Sequence, residues 1–163
     1  MDLQVTDNFL SPIEYGNLYS EVMGWEFPWF FNEGILKNNE RKNYQYVHSF
    51  YLNKDYSNKF DLCGNLLDKI GVKKLDRFKA NSNPRTIFHR SGGYHIDVNP
   101  PISSNQKTSI YYLNTNNGYT KFKKGGKVKC VANRLVTFPA SLMHAGFSCT
   151  DQKRKVVFNI NYE

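Results

Sequence analysis

The sequence predicts a mainly β fold, a sandwich or barrel of short strands with helices packed on one face. Two observations carry this. From residue 75 onward, β-favouring segments follow one another at 75–80, 86–89, 94–98, 108–114, 127–131, 135–138 and 155–161. Turn formers such as Asn116-Asn117-Gly118 and Gly125-Gly126 separate them, the pattern of an all-β sandwich or barrel. Before residue 75 the signals are helical and aromatic instead. The chain has 163 residues, a length suited to one domain and to a core that needs no disulfide or metal staples. A single domain over 1–163 is therefore expected, with 1–74 as a helical and aromatic support region and 75–163 as the β core.

The first helix is marked residue by residue. Ser11 caps it, Pro12 suits its first position, and Glu14 completes a capping box with Ser11. Tyr15, Leu18, Tyr19, Val22 and Met23 recur at helical spacing, and Gly24 ends the run. Trp25, Phe27, Trp29, Phe30 and Phe31 then crowd around Pro28, as core packing or as a substrate wall. Tyr44, Tyr46, His48, Phe50 and Leu52 alternate with other residues, which reads as a strand. A second helix is expected over 59–70, with Phe60, Cys63, Leu67 and Ile70 on one side and Gly71 as its stop.

Composition narrows the class. No apolar run approaches the length that spans a bilayer, and the first residues carry no secretory signal. A soluble cytoplasmic protein without a membrane partner is expected. Cys63, Cys130 and Cys149 are odd in number and form no CxxC pair, which argues against a disulfide framework or a zinc-thiolate site. The net charge of +8 keeps nucleic acid among the candidate partners. The lysines are scattered, however, with tight clusters only at Lys121-Phe122-Lys123-Lys124 and Lys153-Arg154-Lys155.

The chemistry-bearing residues begin with His95-Ile96-Asp97. On a strand, residues two apart share a face, so an imidazole and a carboxylate converge there. His144 follows downstream. Two histidines and one carboxylate on one face of an octahedral ion leave positions open, the facial triad of non-haem Fe(II) oxygenases. A 2-oxo acid chelates through two of those positions and O2 takes a third. The alternative reading makes His95 a core histidine and Asp97 a turn former before Asn99. Arg154 adds context. Alternation places it on one strand face with Val156, Phe158 and Ile160, where an inward guanidinium needs a buried anion. The C5 carboxylate of 2-oxoglutarate fits, gripped by two parallel hydrogen bonds. Otherwise Arg154 is one solvated charge of a basic edge.

In this arrangement the sequence resembles the 2-oxoglutarate/Fe(II) dioxygenases of the prolyl-hydroxylase-like group, and within it the small uncharacterised oxygenases of marine phages and bacteria. The matching stretches run in family order: Gly92 to Asp97, Thr108 to Asn114, Gly118-Tyr119-Thr120-Lys121-Phe122, Asn133 to Phe138, His144-Ala145-Gly146 and Arg154. Asp7 to Leu10 and Phe27-Pro28-Trp29 are similar to the small-oxygenase subgroup. The resemblance implies a double-stranded β-helix, a distorted jelly roll, with Fe(II) held by His95, Asp97 and His144. It also implies that 2-oxoglutarate is bound by Arg154 and the Tyr112 hydroxyl, with Ile110 packing against it. Asn81 is either a contact to co-substrate or substrate, or part of a turn with Asn83-Pro84. Asp97, rather than Ala or Gly, argues against the halogenating relatives. The loops at 84–92 and 99–107 are short and polar and identify no prolyl peptide. The expected activity is hydroxylation coupled to formation of succinate and CO2. The prime substrate is expected to be a peptide, protein or small molecule, with a nucleic-acid base or a non-catalytic binding module as alternatives.

Overall fold

The computed structural model describes residues 3–34, 43–98 and 102–163, so Asn99 and the start of the 99–107 loop lie outside it. In chain order the elements are β1 (Gln4–Thr6), α1 (Pro12–Met23), β2 (Phe30–Asn32), β3 (Gln45–Leu52) and β4 (Asp55–Tyr56). A 3-10 turn (Phe60–Cys63) leads into α2 (Gly64–Ile70). Then come β5 (Leu75–Pro84), β6 (Lys107–Tyr112), β7 (Tyr119–Phe122), β8 (Lys127–Lys129), β9 (Arg134–Pro139), β10 (His144–Phe147) and β11 (Arg154–Tyr162).

These strands build two antiparallel sheets. The larger runs β1-β9-β6-β11-β5-β3-β2, with β4 beside β3; the smaller runs β10-β7-β8. The central strands of the large sheet are buried on both faces. One face, with Phe78, Ala80, Tyr111, Val156, Phe158 and Ile160, packs with Leu18 and Val22 of α1 and Leu66 and Leu67 of α2. The other, with Ile110, Tyr112 and Val157, packs with Phe122 and Val128 of the small sheet. A strand with two dry faces reads as a nearly continuous apolar run, and β11 is buried from Lys155 to Tyr162. The result is a jelly roll with helices on one side.

The helix α1 has the boundaries its sequence signals define. The Glu14 amide donates to Ser11 Oγ at 3.3 Å, and the Ser11 amide donates to Glu14 Oε2 at 2.9 Å. Ser11→Ala is expected to lower the unfolding free energy by about 1 kcal/mol, read as a lower urea midpoint at unchanged slope.

Four expectations change. Residues before 75 are not only support, because β1 to β4 extend the large sheet. The second helix divides into a 3-10 turn and the short α2, although Gly71 does stop it, in the left-handed conformation. Residues 86–89 form no strand: Thr86 Oγ1 donates to the Phe88 carbonyl at 2.6 Å, and Ile87 and Phe88 stay exposed. Residues 94–98 form none either. Gly93 takes φ 93°, a left-handed backbone that interrupts an extended run, and a single bridge pins His95. The strands β7 and β10 in turn carry no strong alternation in sequence and are made by their pairing with each other.

Candidate metal centre and its pocket

His144 opens β10, and His95 pairs with it across an isolated antiparallel bridge. Each donates its amide to the other's carbonyl, at 2.9 and 3.0 Å. Directly opposed residues of such a pair project to the same side, and the two imidazole rings lie 4.8 Å apart. Asp97 arrives at the bend two residues after His95. Ligand atoms of His95, Asp97 and His144 all lie within 4.8 Å of one another.

The donor set fits a metal cation. His95 Nδ1 faces the Gly93 carbonyl at 2.9 Å, and His144 Nδ1 faces the Leu142 carbonyl at 3.1 Å. A carbonyl only accepts, so both Nδ1 atoms carry the proton and neutral rings direct Nε2 lone pairs inward. Those Nε2 atoms stand 3.4 and 3.3 Å from the two oxygens of Asp97. Asp97 Oδ2 is buried and makes no hydrogen bond. Two lone pairs and a carboxylate around one point repel each other unless a cation sits among them.

A second layer orients the carboxylate. Arg77 on β5 donates through Nη2 to Asp97 Oδ1 at 3.0 Å and through Nε to Asn161 Oδ1 at 3.0 Å. Asn161 is itself tied to Thr108 Oγ1 at 2.9 Å. Burial would raise the Asp97 pKa, but the adjacent His144 and His95 rings and the Arg77 charge hold it well below the usual carboxylate range. For His95, burial works against the charged form, yet the hydrogen bond and charge of Asp97 raise its pKa. Without metal, a proton on His95 thus partly supplies the missing cation. Metal must displace that proton, so metal affinity is expected to rise with pH until His95 titrates, above the usual imidazole value of about 6.5. Calorimetric titration of Mn(II) in buffers of different ionisation enthalpy reads the released proton directly.

The triad sits at the wall of a cavity of about 400 Å³ between the two sheets. Across it, Lys155 of β11 is 3% exposed and donates from Nζ to the Phe147 carbonyl at 2.7 Å. It meets no acidic partner among the described residues, and burial pushes its pKa down. A Cβ on Gly118 would lie 3.0 Å from Lys155 Cδ and 2.9 Å from the Phe147 carbonyl, so glycine there keeps the slot for the lysine stem. Beside it, Thr120 of β7 lines the cavity and accepts the Tyr112 hydroxyl at 2.8 Å. Phe122, two residues on, packs near the His144 ring at 6.2 Å. The Gly118-x-Thr120-x-Phe122 stretch therefore serves the anchor slot, the cavity wall and the histidine support in turn. Ile110 and Val157 supply apolar wall.

Arg154 does not reach this cavity. It faces the helical side with Val156, Phe158 and Ile160, where its Nη2 donates to the Met23 carbonyl at the end of α1 at 3.0 Å. Its guanidinium stands 5.5 Å from the Trp29 ring. A helix-end carbonyl and an aromatic face satisfy an arginine without any anion. The strand face that meets the cavity is the opposite one, carrying Lys155, Val157 and Asn159. Lys153-Arg154-Lys155 is accordingly no basic surface patch, since two of its three charges turn inward on opposite sides.

No protein-family model matches the sequence, and no curated protein matches it. Solved structures do. An oxidoreductase of the 2OG-Fe(II) oxygenase family from Burkholderia pseudomallei aligns over 98% of this chain and 84% of its own, with TM-score 0.68 and 10% identity. A prolyl hydroxylase in complex with a hypoxia inducible factor oxygen degradation domain peptide fragment, from Trichoplax adhaerens, aligns over 98% and 83%, with TM-score 0.68 and 15% identity. The viral collagen prolyl hydroxylase of Paramecium Bursaria Chlorella virus-1 aligns over 99% and 90%, with TM-score 0.56 and 16% identity. The chain has the fold of the 2OG-Fe(II) oxygenases.

Within this oxygenase fold the aromatic run after α1 divides. Phe27 is buried against Trp29, His48 and Phe50. Trp25 is 92% exposed, and Phe30 and Phe31 are also exposed. None of the five lines the cavity; Phe31 only touches Tyr44, which does. Asn81 belongs to β5 rather than to a turn, and its side chain lines the cavity. The three cysteines are buried free thiols. No helix among the described residues is long and apolar enough to cross a membrane.

Proposed function

We propose that this protein is an Fe(II)- and 2-oxoglutarate-dependent dioxygenase, a hydroxylase that couples formation of succinate and CO2 to oxidation of a prime substrate. One observation carries the reading. A three-ligand set with inward lone pairs and a buried lysine without an acidic partner face each other across one cavity of the oxygenase fold. His95, Asp97 and His144 hold the iron, and Arg77 fixes the Asp97 carboxylate. Ferrous iron bound there supplies the activation of O2 and the oxidative decarboxylation of the 2-oxo acid.

The rest is done by the chain. Lys155 pairs with the C5 carboxylate of 2-oxoglutarate. The Thr120 hydroxyl, whose oxygen already accepts from Tyr112, has its own proton free to donate to the same carboxylate. Tyr112 thus orients Thr120 rather than touching the co-substrate. Ile110 and Val157 exclude water from its methylene groups. The Lys155 ammonium, disfavoured by burial, regains stability once a carboxylate is beside it.

A peptide or protein side chain is the substrate class we favour, since the Trichoplax adhaerens neighbour carries a peptide in the same fold. The test is calorimetric and chemical. 2-Oxoglutarate should bind tightly only when Mn(II) or Fe(II) is present, and aerobic Fe(II) enzyme should form succinate that a chelator abolishes. Absence of metal-dependent 2-oxoglutarate binding would sink the proposal.

A further inference from the structure

The cavity holds more positive charge than the proposed reaction uses. Among the described residues that line it, Asp97 is the only acid, whereas Arg77, Lys79, Arg90 and Lys155 are all cationic. With the two carboxylates of 2-oxoglutarate present, negative groups number three. Ferrous iron and the four side chains supply six positive charges. Lys155 and Arg77 have assigned partners. Arg90 is engaged by contacts of its own. Lys79, partly buried on β5, makes no ion pair or hydrogen bond among the described residues and feels the Asp97 charge only at a distance. An uncompensated cation in such a place is costly.

Lys79 is not alone in lacking a partner. Asn81 and Asn159, 6% and 8% exposed, each leave a buried amide oxygen without a hydrogen bond. Strand register brings the three together. Asn159 of β11 is directly opposite Lys79 of β5, and Asn81 follows two residues along the same face of β5. Buried native polar groups are nearly always paired, so adjacent orphans on rigid strands mark a place where a ligand completes the bonding.

From this we infer that Lys79, Asn81 and Asn159 form the seat of the prime substrate, and that this substrate presents an anionic group, carboxylate or phosphate, flanked by N–H or O–H donors. The anion pairs with the Lys79 ammonium. The two amide oxygens accept from the flanking donors. Lys79 and Asn159 stand four residues along β5 and β11 from the Asn83–Lys155 pair, with Asn81 opposite Val157 between them, so an acid at Lys79 and one at Lys155 are held at once. The inference rests on the dioxygenase reading for its account of the other charges, but the seat itself is testable without turnover.

The probes are acetate and inorganic phosphate, added to protein loaded with Mn(II) and saturated with N-oxalylglycine, which fills the co-substrate site. Paramagnetic broadening of the acetate methyl or phosphate resonance reports binding near the metal. Broadening is expected in the native protein, weakened at least about tenfold in affinity by Lys79→Met and kept by Lys79→Arg. Comparison of the two anions tells carboxylate from phosphate. The metal-free protein, titrated while backbone amides of β5 are followed by NMR, should show the same dependence on Lys79. Binding equal in the native protein and Lys79→Met overturns the inference, as does loss of binding once N-oxalylglycine is present, which would make Lys79 part of the co-substrate seat. Failure of N-oxalylglycine to bind at all counts instead against the dioxygenase reading, and the metal-free titration then decides the anion seat by itself.

Discussion

His144→Ala is expected to abolish metal binding and succinate formation together. His144 is 2% exposed, its ring is braced 4.9 Å from Phe138, and its Nδ1 proton is held by the Leu142 carbonyl. The Nε2 lone pair has no task in the protein other than to face Asp97. Loss of an outer partner of a metal ligand typically costs about 10–100-fold in affinity, so loss of the ligand itself should exceed that. Titration with Mn(II) measures it, and a near-native thermal midpoint separates ligand loss from unfolding. Added imidazole, small enough for the space vacated, should restore part of the affinity. Turnover undiminished in this variant would overturn the assignment of the triad.

Lys155→Met is expected to weaken 2-oxoglutarate binding by about 2–5 kcal/mol, the usual cost of removing one partner of a buried charge pair, or roughly 30-fold and more. Arg154→Met should leave that affinity within about threefold and lower stability instead, because it strips a cap from the last turn of α1 and a cation from the Trp29 face. Methionine keeps the stem volume in the slot opposite Gly118, so the comparison reads charge rather than packing. The two substitutions in parallel, with metal-dependent 2-oxoglutarate binding for one and a urea midpoint for the other, separate the two neighbours by function. The reverse result, with Arg154 controlling the co-substrate, would mean that β11 is turned over relative to its register here.

Arg154 and Lys155 also show where sequence reasoning reached its limit. Alternation along β11 was legible, and so was the rule that an inward charge needs a partner. Which face was the cavity face was not legible, because both faces of β11 are buried. One signal pointed the right way: Asn159 and Asn161 lie on the Lys155 side, and a face that must hold a polar co-substrate is the one that carries polar side chains. The uniformly apolar side, with Val156, Phe158 and Ile160, is what a helical layer requires.

His95 and Asp97 teach the complementary point. They converge, but not by sharing a strand. Gly93 interrupts the extended run, and the pairing comes from the bridge between His95 and His144, residues 49 apart in sequence, and from the bend at Asp97. Two-residue spacing delivered the neighbours for a different reason than strand alternation. The roles of Lys79 and Asn159 had no such local signal, since a lysine and an asparagine in β strands look like solvent-facing residues until a second sheet covers them.

What this chain's sequence determined by itself is local: the capped helix α1, the stop at Gly71, most of the core strands, and the identity of three side chains fit to hold a metal. Short-range physics governs those features, through capping bonds, backbone preference and the chemistry of donor atoms. Only the tertiary structure decided which face of β11 looks into the cavity, how His95 meets His144, and that Lys79 is left beside two unpaired amides. Those depend on pairing between distant strands, where a shift of one residue exchanges one face for the other.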